Sequence, residues 1–199
     1  MFKGSIPALV TPMRDGKVDE DAFRAFIEWQ IQEGSHGLVP VGTTGESPTL
    51  GHDEQIDLIA AVVDAVDPGV SVVAGAGSND TRAAVELTGR ATEAGATGLL
   101  HVAGYYNRPS QAGLSEHFRA CAAATDLPIL LYDIPVRTGR KIATETMVDL
   151  FAQVDNIIGV KDAAASPGET ARLLSLAPDG TEVFRGDDGL TLALLAIGG

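Results

Sequence analysis

The chain has 199 residues, 45% of them apolar and only 5% aromatic, and a formal net charge of −13. That length suffices for one domain with a sizeable core. The acidic balance argues against nucleic acid or an anionic membrane as partner, because their phosphates would be repelled, although a few local cations can still hold a small anionic substrate. Cys121 is the single cysteine, so neither an internal disulfide nor a cysteine-based metal site is expected. The opening Met1-Phe2-Lys3-Gly4-Ser5-Ile6-Pro7 does not read as a signal peptide, because its apolar run is short and broken by proline. No stretch approaches the roughly 18 apolar residues of a membrane span, and a cytoplasmic enzyme is the default expectation.

In chain order, the first short apolar run covers 5–10 and leads into Thr11-Pro12-Met13. Further runs follow at 37–41, 70–74, 98–102, 128–132, 157–161 and 182–185. All are too short for helices and most lack polar alternation, which is how strands buried on both faces read. Between them lie helical patterns. Residues 19–32 place Phe23, Phe26, Ile27 and Gln30 at 3–4 spacing, and 52–66 align Ile56, Ile59, Val63 and Val66. Residues 81–94 end before Gly95, a good cap. The stretches 110–124, 144–152 and 167–176 complete the set, and 190–197 begin another helix.

Seven β/α units at a spacing of about 25–30 residues predict an all-parallel α/β sheet. A Rossmann unit would show a Gly-rich fingerprint after its first strand; Thr11-Pro12-Met13 stands there instead, so a TIM (β/α)8 barrel is favoured. A closed barrel needs eight strands and typically about 250 residues. The expectation is therefore one incomplete barrel domain over 1–199, lacking strand eight and the helices beyond it. Such a chain is expected to fold poorly alone and to turn over little substrate.

Barrel active sites lie at the C-terminal ends of the strands, which makes a short list of residues. Lys161 is one of four lysines and follows the apolar Ile157-Ile158-Gly159-Val160. Burial lowers an ammonium pKa, and a neutral amine is what attacks a carbonyl. The competing reading is a lysine emerging to solvent or pairing with Asp162. Tyr106 and Tyr132, two of three tyrosines, stand at strand ends and are suited to proton relay, or equally to packing. Thr43 and Thr44 lie between glycines in a run suited to a carboxylate, or in an ordinary turn. Arg137 is suited to clamping a second carboxylate, or to a surface ion pair. Asp187-Asp188 reads as a helix cap rather than a metal site. His36, His52, His101 and His117 show no ligand spacing, and each is expected to be structural.

Four runs together carry a resemblance. Gly42-Thr43-Thr44-Gly45-Glu46-Ser47, Tyr105-Tyr106-Asn107-Arg108-Pro109-Ser110, Tyr132-Asp133-Ile134-Pro135 with Arg137-Thr138-Gly139, and Ile157-Ile158-Gly159-Val160-Lys161 resemble the signatures of the pyruvate-dependent Schiff-base lyase family. The match spans the whole chain, which stops where the family continues into an eighth strand. Arg137-Thr138-Gly139 resembles the dihydrodipicolinate synthase branch rather than N-acetylneuraminate lyase.

The resemblance implies condensation of pyruvate with L-aspartate 4-semialdehyde on the route to diaminopimelate and lysine. It implies that Lys161 forms the imine and that Tyr132 shuttles protons, with Thr43 and Tyr106 completing a relay. Thr43 and Thr44 would hold the pyruvate carboxylate, Arg137 the semialdehyde carboxylate, and the Gly186 carbonyl would line the site. No metal or organic cofactor is implied. A homo-oligomer, usually a dimer of dimers, is implied by the family's use of the residue at Tyr106 in a neighbouring subunit's site. Ser47, His52, Asn79 and Tyr105 match an allosteric lysine pocket, but Ala83 stands where lysine-inhibited members often carry glutamate. Gly104 replaces a proline found in many relatives. Two alternatives stay open: another pyruvate aldolase with a different aldehyde, and an inactive fragment that only binds or associates.

Overall fold

The computed structural model describes residues 2–199. It falls into two compact units. One runs up to Ala76 and includes Leu87–Leu100; the other comprises Gly77–Glu86 and His101–Gly199.

The first unit opens with a segment that contacts its neighbour only briefly. Where a strand over 5–10 was expected, a single parallel bridge joins Ala8 to Val39. The Leu9 N–H donates to the Val39 carbonyl (3.0 Å) and the Val39 N–H to the Pro7 carbonyl (2.9 Å). Pro7 has no N–H to give, which limits the ladder. A two-strand hairpin follows, β1 (Met13–Arg14) and β2 (Lys17–Val18). It was not expected, yet its turn is Asp15-Gly16, and both residues have positive φ (+53° and +76°), the conformation that tight two-residue hairpin turns require.

Helix α1 (Glu20–Gln32) begins where Asp19 accepts a hydrogen bond from the Ala22 N–H (3.1 Å), and it buries Phe23 and Ile27. Strand β3 (Gly37–Leu38) is shorter than the predicted 37–41 run. Pro40 lacks a donor, and Val41 turns into the left-handed region at φ +58°, so the extended backbone stops there. Helix α2 (His52–Ala65) starts with the Glu54 carboxylate accepting from the Gly51 N–H (2.8 Å). Strand β4 (Ser71–Gly75) pairs parallel with β3, and β5 (Gly98–Val102) pairs parallel with β4. Helix α3 (Thr81–Glu93) joins β4 to β5. The core of this unit includes Leu9, Phe23, Ile27, Leu38, Ile59, Val62, Val72, Val73 and Leu99.

In the second unit, Ser110 caps α4 (Gln111–Ala122) by accepting from the Gly113 N–H (3.1 Å). Strand β6 (Ile129–Asp133) is buried along its whole length. A four-residue helix α5 (Pro135–Thr138) intervenes before α6 (Thr144–Gln153). Strand β7 (Ile157–Asp162), helix α7 (Pro167–Leu176), strand β8 (Glu182–Arg185) and helix α8 (Thr191–Ala196) complete the chain. Strands β6, β7 and β8 pair in sequence order, all parallel. Gly159 is required for this packing: a Cβ there would lie 1.9 Å from the Glu182 carbonyl oxygen. Phe118, Leu114, Ile129, Leu131, Ile142 and Leu150 are fully buried in this unit. No helix among the described residues is long and apolar enough to cross a membrane.

Candidate active site

The second unit holds the predicted imine-forming lysine. The parallel register sets Tyr132 of β6 beside Lys161 of β7, and Lys161 beside Phe184 of β8. Parallel neighbours project to the same face of a sheet, so Tyr132 and Lys161 share one side. The Lys161 ammonium lies 4.7 Å from the centroid of the Tyr132 ring. Tyr132 is 7% exposed. Burial pushes the Lys161 pKa down, against a smaller opposing pull from the Asp188 carboxylate. Gly186 closes on the same lysine: a Cβ added there would stand 3.2 Å from Lys161 Cε and 2.9 Å from Ala163 Cβ.

The competing reading, in which Lys161 pairs with Asp162, fails on strand geometry. Successive side chains point to opposite faces. Asp162 bonds instead to the Ala164 N–H (2.8 Å) and the Thr170 hydroxyl, with Arg185 at 3.5 Å.

Arg137 lies in α5 with its side chain exposed, and among the described residues it forms no ion pair. The helix that carries it is closed by Gly139 at φ +68°, where the Gly139 N–H donates to the Pro135 carbonyl (2.9 Å). Thr138, buried beneath it, donates from its hydroxyl to the Arg140 carbonyl (2.8 Å). Arg108 Nε donates to the Gly139 carbonyl (2.9 Å), tying the loop after β5 to this turn. Tyr106, in that loop, is 90% exposed and has φ +67°. Tyr105 is half-buried. Asn79 accepts through its carbonyl from the Asn107 amide (3.1 Å), and Ala83 is half-buried on α3.

The first unit carries the Thr43-Thr44 run. Val41 and Glu46 both have positive φ (+58° and +57°), so the backbone coils tightly between them. The Glu46 N–H donates to the Thr43 carbonyl (3.1 Å), and the Thr11 hydroxyl donates to the Gly45 carbonyl (2.7 Å). Thr43 is half-buried and Thr44 exposed. Ser47 accepts through its carbonyl from Gln55 Nε2 (2.9 Å), and His52 is exposed at the start of α2.

The remaining expectations divide by burial. Asp187 caps the short turn of helix at Asp188–Leu190 by accepting from the Gly189 N–H (3.1 Å). No cluster among the described residues is suited to a metal ion. His36 accepts from the Ser5 N–H (3.2 Å). His117 is 2.9 Å from the Thr81 hydroxyl. Burial lowers the pKa of both His101, to about 3, and His117, and the neighbouring His117 adds to the effect on His101.

Sequence reasoning gave no role to Asp133 and weighed Asp162 only as a partner for Lys161. Asp133 is 1% exposed and binds Lys141 (3.0 Å) and the Ile142 N–H (3.0 Å). Burial raises its pKa, against the opposing effects of those two partners. The signal was a carboxylate immediately after each candidate strand-end residue, Asp133 after Tyr132 and Asp162 after Lys161.

Comparison with known proteins covers the chain end to end. The chain is 50% identical over 199 residues to the 4-hydroxy-tetrahydrodipicolinate synthase of Syntrophus aciditrophicus, covering all of this chain and 68% of that protein. It superposes on dihydrodipicolinate synthase from Aquifex aeolicus with a TM-score of 0.97 at 40% identity, covering 99% of this chain and 67% of that one. It matches the Acinetobacter baumannii enzyme, solved as a complex with pyruvate, with a TM-score of 0.96 at 39% identity, over 100% and 68% of the two chains. These neighbours share the (β/α)-barrel class of α/β fold expected for this chain. The model of the dihydrodipicolinate synthetase family matches residues 1–199, and the chain belongs to that family.

Proposed function

We propose that this protein condenses pyruvate with L-aspartate 4-semialdehyde through a covalent imine on Lys161, giving 4-hydroxy-tetrahydrodipicolinate. The observation that carries the reading is Lys161 itself: an amine of lowered pKa on a buried strand, beside Tyr132, in a chain of this family. A neutral Lys161 amine adds to the pyruvate ketone, and loss of water leaves the imine. The imine withdraws electrons, so a methyl proton is released and the resulting enamine carbon bonds to the aldehyde carbon, whose oxygen takes up a proton as the hydroxyl. The semialdehyde's amino group then attacks the imine carbon, closing the ring and expelling the Lys161 amine. No metal or organic cofactor is required for these steps, because the imine is the electron sink.

Tyr132 is assigned the proton shuttle, with Thr43 and Tyr106 as its relay. Thr43 and Thr44 are assigned the pyruvate carboxylate, Arg137 the semialdehyde carboxylate and the Gly186 carbonyl a wall of the site. The exposure of Arg137 supports that assignment, as does the fact that it forms no ion pair among the described residues, since an unengaged guanidinium can take a carboxylate bidentately. The 90% exposure of Tyr106 supports a homo-oligomer, a dimer of dimers, in which that ring is covered by a second copy. The reading includes a single catalytic domain working in the cytoplasm on soluble metabolites.

The test is a condensation assay with pyruvate and each of two aldehyde partners, aspartate semialdehyde and N-acetylmannosamine. Turnover with the first and not the second is expected. The reverse preference would assign the chain to a different aldolase reaction.

A further inference from the structure

Behind the row formed by Tyr132 and Lys161 lies a second row of opposite character. Asp133 follows Tyr132, Asp162 follows Lys161, and Arg185 follows Phe184, so all three project to the other face of the strands. The register sets Asp133 beside Asp162 and Asp162 beside Arg185. All are withdrawn from water: Asp133 is 1% and Asp162 7% exposed, and the Arg185 side chain 5%. Asp133 is balanced by Lys141 at 3.0 Å. Asp162 faces Arg185 at 3.5 Å, and Asp187 stands 3.8 Å from the other end of the same guanidinium. None of the Arg185 nitrogens makes a hydrogen bond among the described residues. Arg185 therefore acts on its neighbours through charge more than through directed bonds. The backbone carries the row to the site: the Gly186 N–H donates to the Asp162 carbonyl (3.0 Å), and the Ala163 N–H to the Asp133 carbonyl (2.8 Å).

We propose that Asp162 and Arg185 are positioning residues for Lys161: a buried ion pair that fixes the end of β7 and cancels the negative charge directly behind the reacting amine. The proposal rests on the Schiff-base reading above. An unbalanced carboxylate behind Lys161 would favour its ammonium form, which cannot attack pyruvate, whereas the balanced pair leaves burial free to keep the amine neutral. On the opposite face, the groups near Lys161 are the Tyr132 ring and Asp188 from the turn after β8. Asp133 with Lys141 and the exposed Asp187 complete the charged set around the pair.

The two members of the pair carry opposite charge, so their removal makes opposite predictions. The measurement is the rate of pyruvate adduct formation at Lys161, trapped with cyanoborohydride and read by peptide mass, as a function of pH. Arg185→Met leaves Asp162 uncompensated and is expected to move the midpoint up by about half a pH unit or more, roughly a threefold loss of neutral amine below it. Asp162→Asn, which keeps an acceptor for the Ala164 N–H and offers an N–H donor to the Thr170 hydroxyl in place of the second acceptor, removes the negative charge paired with Arg185 and is expected to move the midpoint down. Arg185→Lys keeps the charge and the wild-type midpoint. Slower labelling with an unmoved midpoint, or displacement in the same direction in both charge-removing variants, overturns the proposal. If Arg185→Met does not fold, the direction of the shift in Asp162→Asn decides alone. A wild-type protein that forms no adduct at Lys161 at any pH would instead refute the Schiff-base reading on which the proposal stands.

Discussion

The Lys161 ammonium lies 4.7 Å above the ring of Tyr132, its parallel register partner. An aromatic face attracts a cation, while burial opposes the charged form, so the two influences on this lysine compete. Burial also outweighs the opposing pull of the Asp188 carboxylate, and the pKa falls. The first prediction follows from this balance. Pyruvate with borohydride should add a stable mass to the peptide containing Lys161, and Lys161→Ala should abolish it. Labelling at Lys141 instead would overturn the assignment, although Lys141 is already committed to buried Asp133 at 3.0 Å.

Gly186 offers a steric test of the same site. An added methyl would stand 3.2 Å from Lys161 Cε and 2.9 Å from Ala163 Cβ. The lysine stem can move but the Ala163 methyl is fixed to backbone. Gly186→Ala should therefore slow imine formation about tenfold, roughly 1.4 kcal/mol, within the usual cost of overpacking. A variant that labels at the wild-type rate would show that Gly186 does not confine the lysine.

Arg137 should separate the two half-reactions. Arg137→Ala is expected to leave pyruvate labelling nearly intact while raising the KM for aspartate semialdehyde, because a charge-assisted contact is worth about 1.5–3 kcal/mol. Equal loss in both steps would make Arg137 a structural residue.

Inhibition by L-lysine should be weak or absent. The half-buried Ala83 provides no carboxylate for the effector's amino group. Inhibition curves of the condensation reaction check this, and strong inhibition that disappears in His52→Ala would show that the remaining residues suffice.

Acid stability should be governed in part by His101. Its folded pKa, about 3, is below the ordinary 6.5 because burial disfavours the imidazolium. The unfolded chain therefore takes up a proton before the folded one does. The histidine's contribution to stability is intact above about pH 6.5 and is lost as pH falls towards 3, at about 1.4 kcal/mol per pH unit. Thermal unfolding followed between pH 7 and 4 should show a falling Tm, with a shallower decline in His101→Asn. An identical slope in that variant would assign the acid sensitivity to other groups.

The alternation of short apolar runs with amphipathic stretches determined much of this protein by itself. β5 and β8 lie where the sequence placed them, and α1 and α4 begin one residue inside the predicted helical stretches, whose first residues Asp19 and Ser110 serve as their caps. These features are local, set by side-chain period and by backbone groups within one turn. Lys161 was legible for the same reason, as a single cation ending an apolar strand. The Asp15-Gly16 hairpin was also written locally and passed over, because its strands are only two residues long. The shortness of the first strand was less legible: whether residues 5–10 form a ladder depends on which N–H groups a neighbour can use, and Pro7 supplies none. The charged row behind the site was decided only by tertiary structure. Asp133, Asp162 and Arg185 are separated by many residues, and nothing in their spacing pairs them. The parallel register sets them side by side, and the packing over them removes water, which turns three ordinary charges into a coupled set.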